Sequence, residues 1–192
     1  LSTGSRAICF AKRTLEIFDR LGLGQRVVDK GITWNVGRTF HGDQEVFAFD
    51  LLPEAGHRRP GMVNLQQYHL EQYLVERALE LPAIDLRWKH KVARVTPGEA
   101  FATVEVETAD GPYRLECDWL IVADGARSTL GRALGRSWHQ ETVYGVAVRG
   151  YIASPRANEP WITSHLELRS PEGKVLPGYG WIFPLGNGEV NI

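Results

Sequence analysis

The chain has 192 residues, 43% of them hydrophobic, with 22 basic and 23 acidic side chains and a formal net charge of -1. This composition belongs to a globular protein able to bury a core, and the balanced charge excludes an electrostatic footprint for nucleic acid. No apolar run approaches the roughly 18 residues of a transmembrane helix, and Cys9 and Cys117 lie too far apart for a metal-ligand spacing, so they read as reduced thiols of a cytoplasmic protein.

The chain opens on Leu1 rather than methionine and reaches Ile192 inside an apparent strand, which reads as a piece of a longer protein. Residues 6–21 place Ala7, Ala11, Leu15, Phe18 and Leu21 at helical spacing, with Gly22 set to end the helix. Residues 25–30 form a second short helix before Gly31. Gly4-Ser5-Arg6 has two readings: a capping turn with a solvated arginine, or an anion site in which Arg6 meets a phosphate at a helix N-terminus. Thr39-Phe40 and residues 46–49 flank His41-Gly42-Asp43-Gln44 as a β-hairpin, and residues 53–60 are a loop. His41 and His57 have no carboxylate or cysteine pattern beside them and take no metal role.

Residues 64–81 carry Leu70, Leu74, Ala78 and Leu81 as one apolar helical stripe, with Pro82 beyond the end. Asn64 is a suitable N-cap, and Gln67, three residues on, completes a capping box. Gln67 alternatively offers its amide to a ligand, and spacing does not separate the two roles. Residues 84–88 read as a strand, with 91–95 its continuation or partner. Val104 and Val106 alternate with Glu105 and Glu107, and Asp110-Gly111 turns the chain back through residues 113–117. The apolar run 119–123 then reads as a parallel strand buried on both faces. It breaks at Asp124-Gly125 and resumes as a short helix from Ser128. A strand, a tight turn and a helix start, in that order, expose backbone amides to a ligand phosphate.

Beyond Gly135 the pattern is mostly strand, at residues 143–152, 162–168, 176–185 and 189–192, the last two joined through Gly186-Asn187-Gly188, with 155–160 a loop. The whole reads as α/β, mixed with α+β, in which an antiparallel sheet follows the helical part. Gly-x-Ser-x-Gly, His-x-x-x-His and Cys-x-x-Cys are all absent. The six tryptophans line an aromatic pocket or, more commonly, pack a core.

Asp124-Gly125-Ala-Arg-Ser128 after an apolar run, together with Gly4-Ser-Arg-Ala7 and Asn64-Leu-Gln-Gln67, resembles the FAD-dependent aromatic hydroxylases of the para-hydroxybenzoate and 3-hydroxyphenylpropionate type, over residues 1 to about 128. Residues 148–156 and Pro177-Gly-Tyr-Gly-Trp-Ile-Phe-Pro184 resemble the geranylgeranyl reductase family, FAD proteins that saturate prenyl double bonds, including those of menaquinone. The first resemblance implies that Arg6 approaches the FAD phosphates, that Gln67 contacts the flavin or its ribityl-pyrophosphate, and that Asp124 and Gly125 lie near the pyrophosphate and the path of NAD(P)H. The second implies that Tyr179, Trp181 and Phe183 line a substrate cavity. No catalytic residue follows from either.

Together the resemblances imply a partial FAD- and NAD(P)-binding doubly wound domain over residues 1–37 and 61–142, and a truncated β-rich substrate domain over 38–60 and 143–192. They imply an FAD-dependent oxidoreductase taking a small aromatic or prenyl substrate. The first expectation is an NAD(P)H-dependent monooxygenase of phenols, in the cytoplasm. The alternatives are a prenyl reductase, peripheral to the membrane, and a non-catalytic remnant. Both families open with a Gly-x-Gly-x-x-Gly turn and later carry a Gly-Asp motif at the flavin ribityl chain. That turn and the downstream Gly-Asp motif are both missing from these residues, so the isolated piece is expected to bind FAD weakly or not at all and to be inactive. The two likenesses meet at Asp124-Gly125, either in one divergent subfamily or in a chain joined within the shared motif. Amplification across codons 100 to 150 from source DNA separates these origins.

Overall fold

The computed structural model describes residues 7–125, 127–137, 145 and 147–192. In chain order the elements are β1 (Cys9–Ala11), α1 (Lys12–Arg20), α2 (Gly24–Lys30), β2 (Ile32–Trp34), β3 (Val36–His41), β4 (Gln44–Asp50), β5 (Met62–Asn64) and α3 (Gln67–Leu79). There follow β6 (Lys91–Pro97), β7 (Ala102–Glu107), β8 (Tyr113–Cys117), α4 (Thr129–Ala133), β9 (Tyr151–Ala153), a 3-10 turn (Pro155–Asn158), β10 (Trp161–Leu166), β11 (Tyr179–Pro184) and β12 (Glu189–Asn191). The chain divides into two compact units: Leu1–Ile84 with Ala147–Ile192, and Asp85–Val146.

The core of the first unit is apolar and formed by local helix packing. Leu15 and Phe18 of α1, Val27 of α2, and Leu70 and Tyr73 of α3 bury against Phe10, Val63 and Leu65 around the antiparallel sheet β1-β5-β2. Burying each such side chain contributes about 1.5–3 kcal/mol. Arg26 of α2 lies 3.7 Å over the Tyr73 ring and 2.5 Å from Glu76, tying α2 to α3. Arg59, buried in the loop before β5, clamps the Asp19 carboxylate and donates to Gln25 at 3.0 Å, so the loop is held against α1 and α2.

The second sheet of this unit has the order β4-β3-β10-β11-β12-β9. Every neighbouring pair is antiparallel except β3 with β10, so the hairpin over 36–50 and the strands over 151–191 form one surface. The second unit holds the antiparallel sheet β6-β7-β8, in which Val104 and Val106 are buried, followed by α4.

Four expectations are corrected. The first helix begins at Lys12, not at residue 6: Cys9–Ala11 pairs with β5, and Ile8 and Phe10 point inward at the period of two that strands require. Asn64 is not an N-cap. Its side chain is buried in β5, where it accepts from Trp34 Nε1 at 2.7 Å and Cys9 Sγ at 3.1 Å and donates to the Pro184 carbonyl at 3.2 Å. Those partners outcompete a helix end, and α3 starts after Gln66, with no side-chain cap. Residues 84–88 are coil, with Trp88 58% exposed. Residues 119–123 are also coil, with Trp119 89% and Ile121 88% exposed. A parallel strand is stable only between neighbours that take its backbone bonds and cover both faces, and no described strand pairs with this run. The three hairpin turns, at 41–44, at Asp110-Gly111 and at 186–188, form where expected. Of the strand expected over 143–152, the part at 143, 144 and 146 lies outside the described residues, and β9 begins only at Tyr151.

Candidate functional site

Gln67 stands at the first turn of α3, a position held by the Leu70 and Tyr73 anchors below it. Its Oε1 accepts from the Ala7 backbone N–H at 2.9 Å and its Nε2 donates to Glu71 Oε1 at 2.7 Å. Gln67 therefore fastens the start of the chain to α3, with both ends of its amide engaged. Arg6 lies outside the described residues.

The next residue on α3 is Tyr68. Burial, then the charges of Tyr151 and Glu189, raise its hydroxyl pKa above the usual tyrosine value. Tyr151 is on β9 and Glu189 on β12.

In the second unit, Asp124 and Gly125 are exposed. Gly125 has φ +95°, and no atom lies within 4 Å of the place where a Cβ would stand. Only glycine takes this conformation at low cost, and the open side leaves the backbone accessible. The Ser128 N–H donates to the Gly125 carbonyl at 3.1 Å, and Ser128 Oγ caps α4 by accepting from the Gly131 N–H at 2.6 Å. The turn is thus pinned from behind and open in front, which suits the close approach of a phosphate or ribityl group. Arg127, exposed beside it, adds a positive charge.

Tyr179, Trp181 and Phe183 alternate along β11 and share one face. Their rings follow one another at 5.8 Å and 6.0 Å between centroids. Tyr179 is 57% exposed, Trp181 and Phe183 are half-buried, and Trp181 Nε1 donates to Asn191 Oδ1 at 3.4 Å. Asn191 and Tyr151 are two residues of this surface that spacing did not single out. Their place depends on strand register, Phe183 opposite Asn191 and Asn191 opposite Tyr151, for which the sequence carries no local signal. Gln67 and the aromatic ladder belong to the first unit and Asp124-Gly125 to the second. Among the described residues no group of three or more His, Cys, Asp or Glu could hold a metal ion.

A glycine turn just before a helix start is one way α/β proteins bring backbone amides to a cofactor phosphate. The chain matches the FAD binding domain family over residues 1–188, and it belongs to that family. It is 72% identical to the menaquinone reductase of Mycolicibacterium smegmatis over 102 residues, 53% of this chain and 25% of that protein. It is 28% identical to the para-nitrophenol 4-monooxygenase of a Pseudomonas species over 173 residues, 83% of this chain and 43% of that protein. The crystal structure of p-nitrophenol 4-monooxygenase from Pseudomonas putida shares the fold over all of this chain and 48% of its own, with a TM-score of 0.79 at 21% identity. The chain thus spans between a quarter and a half of the length of these relatives. Among the described residues no helix is long and apolar enough to cross a membrane.

Proposed function

We propose that this chain belongs to an FAD-dependent oxidoreductase, an NAD(P)H-dependent monooxygenase that hydroxylates a phenolic substrate. The observation that carries this reading is the breadth of the likeness: the relative matched over 83% of the chain is a para-nitrophenol 4-monooxygenase. When bound, FAD would supply the redox chemistry between NAD(P)H and oxygen. The protein's own work is to bind, orient and exclude water.

In this reading Gly125 lets the cofactor's phosphates approach the backbone, Asp124 stands beside the NAD(P)H path, and Arg6 neutralises phosphate charge. Gln67, held by Ala7 and Glu71 at the start of α3, would contact the flavin or its ribityl-pyrophosphate. Tyr179, Trp181 and Phe183 form an apolar wall that holds an aromatic substrate by stacking. Two free thiols agree with a cytoplasmic location. In the test, FAD is titrated into the 192-residue chain and its fluorescence followed. NADPH oxidation and oxygen uptake are then measured with and without para-nitrophenol on the full-length protein. Stimulation of both rates by the phenol is expected, and anaerobic turnover alone would overturn the reading.

A second reading rests on the 72% identity to a menaquinone reductase over about half the chain. The same framework then presents a prenyl chain to the reduced flavin, and the protein works at the membrane surface. Saturation of a prenyl double bond without oxygen is its signature.

A further inference from the structure

The second unit carries a cavity that none of the residues assigned above to flavin or substrate lines. Its volume is about 380 Å³, within the range of roughly 300–1,000 Å³ in which proteins hold small molecules. Its floor is the apolar face of the β6-β7-β8 sheet. Register puts Val106 opposite both Val92 and Tyr113, and Val104 opposite Leu115, so these side chains share one face while Glu105 and Arg114 pair on the other. Val104 and Val106 are buried, whereas Val92 and Leu115 are 39% and 40% exposed and leave apolar surface for a ligand to cover.

One end of the cavity is polar, and the loop over 85–90 builds it with Tyr113. Arg87 has its whole guanidinium engaged: Nε and Nη2 donate to Asp85, and Nη1 donates to the Tyr113 hydroxyl oxygen at 2.9 Å. With its oxygen taking that bond, the Tyr113 hydroxyl is left with a hydrogen to donate. His90 lies edge-on to the Tyr113 ring, centroids 5.7 Å apart, and its Nδ1 stands 2.7 Å from the Trp88 carbonyl. A carbonyl only accepts, so Nδ1 carries the hydrogen of the neutral ring and Nε2 keeps its lone pair. Among the described residues, no hydrogen bond uses that lone pair. Between Trp88 and His90, Lys89 has φ +61°, a left-handed conformation unfavourable for a residue with a Cβ. The loop keeps this strain and folds the His90 ring back onto the Trp88 carbonyl.

We propose that this cavity binds a compact apolar alcohol. A hydroxyl group meets both polar partners with a single oxygen, accepting from Tyr113 O–H and donating to His90 Nε2. The carbon body lies over Val92, Val104, Val106 and Leu115. Asp85 neutralises Arg87, so the charges that line the cavity cancel, and an anionic ligand would lose its water without gaining a free cation. The site goes beyond the oxidoreductase reading and does not depend on it.

Isothermal titration calorimetry of the 192-residue chain at pH 8 tests this with trans-4-tert-butylcyclohexanol and 4-tert-butylcyclohexanone. The ketone has the same carbon skeleton and still accepts from Tyr113, but it has no hydrogen for His90. It is expected to bind about 3- to 10-fold more weakly, the worth of one hydrogen bond. His90→Phe should bring the alcohol down to the level of the ketone, whereas a purely structural role of His90 would weaken both by one factor and keep the preference. Tyr113→Phe should weaken both ligands, and Leu115→Trp, which fills the floor from an exposed position, should abolish the binding of both. No binding of the alcohol, equal affinity for alcohol and ketone, a preference that survives His90→Phe, or binding that survives Leu115→Trp each overturns the proposal.

Discussion

Asn64 shows how one side chain joins distant parts of the chain. It sits on β5, yet its amide serves Trp34 on β2, Cys9 on β1 and the Pro184 carbonyl at the end of β11. Asn64→Ala leaves the buried Trp34 N–H without an acceptor, so a loss of about 2–4 kcal/mol is expected in urea unfolding. The Arg59–Asp19 pair is a second residue-scale lock, and it responds to pH. Hydrogen bonding from the Arg59 guanidinium holds the Asp19 carboxyl below its usual pKa, against burial, with the charges of Arg59 and then Arg58 adding to the lowering. A lowered pKa in the folded state gives stability above the unfolded value of about 3.9 that is lost as pH falls through the folded one. Arg59→Leu should therefore be less stable than the parent at pH 7, with the gap in urea midpoint closing as pH drops below about 4. A gap independent of pH would show that the pair acts through packing alone.

At the scale of elements, α3 and the run 119–123 make a contrast. The run 119–123 is apolar throughout and α3 only on one face, but α3 satisfies its own backbone hydrogen bonds and needs only that face covered, which Leu70 and Tyr73 provide. A central parallel strand depends on neighbours for every backbone bond. Residues 119–123 have none among the described strands and leave Trp119 and Ile121 in solvent. Exposed apolar runs of high β propensity drive association. Trp119→Lys with Ile121→Lys should lower the light scattering of concentrated 192-residue chain while leaving its thermal midpoint almost unchanged. If the midpoint falls by several degrees, the run is packed in the folded state and not solvent-facing.

For the molecule as a whole, Cys9 reports on cooperative unfolding. Burial pushes its thiol up to about 12, with Arg149 opposing in part, and Asn64 accepts its S–H. The thiolate is the reactive form, so at pH 8 Cys9 should be labelled by a thiol reagent only through opening of the first unit. Its labelling rate should rise with urea in step with the loss of helical circular dichroism. Fast labelling in the absence of urea would mean that β1 frays from β5. The same unit carries the Gln67 end of α3 and the aromatic face of β11, so a ligand that binds there also slows Cys9 labelling through linkage.

What the sequence determined by itself is what depends on neighbours in the chain. Helical spacing located α2 and the body of α3, glycine turns located the hairpins at 110–111 and 186–188, and the alternation of Tyr179, Trp181 and Phe183 put them on one face. Motif resemblance identified the flavoprotein family, because residues that approach a phosphate or a flavin are constrained in type and spacing together. What only the tertiary structure decided is what depends on pairing between distant segments. Asn64 looked like a cap, since its Trp34, Cys9 and Pro184 partners come from three other segments. Residues 7–11 looked helical, and only the β5 edge makes part of them a strand. Phe47, Thr39 and Ser164 read only as strand residues in the sequence, because register across β4, β3, β10 and β11 is what sets them in one row with Trp181. Local propensity acts over a few residues, whereas register is set by which faces can be buried together.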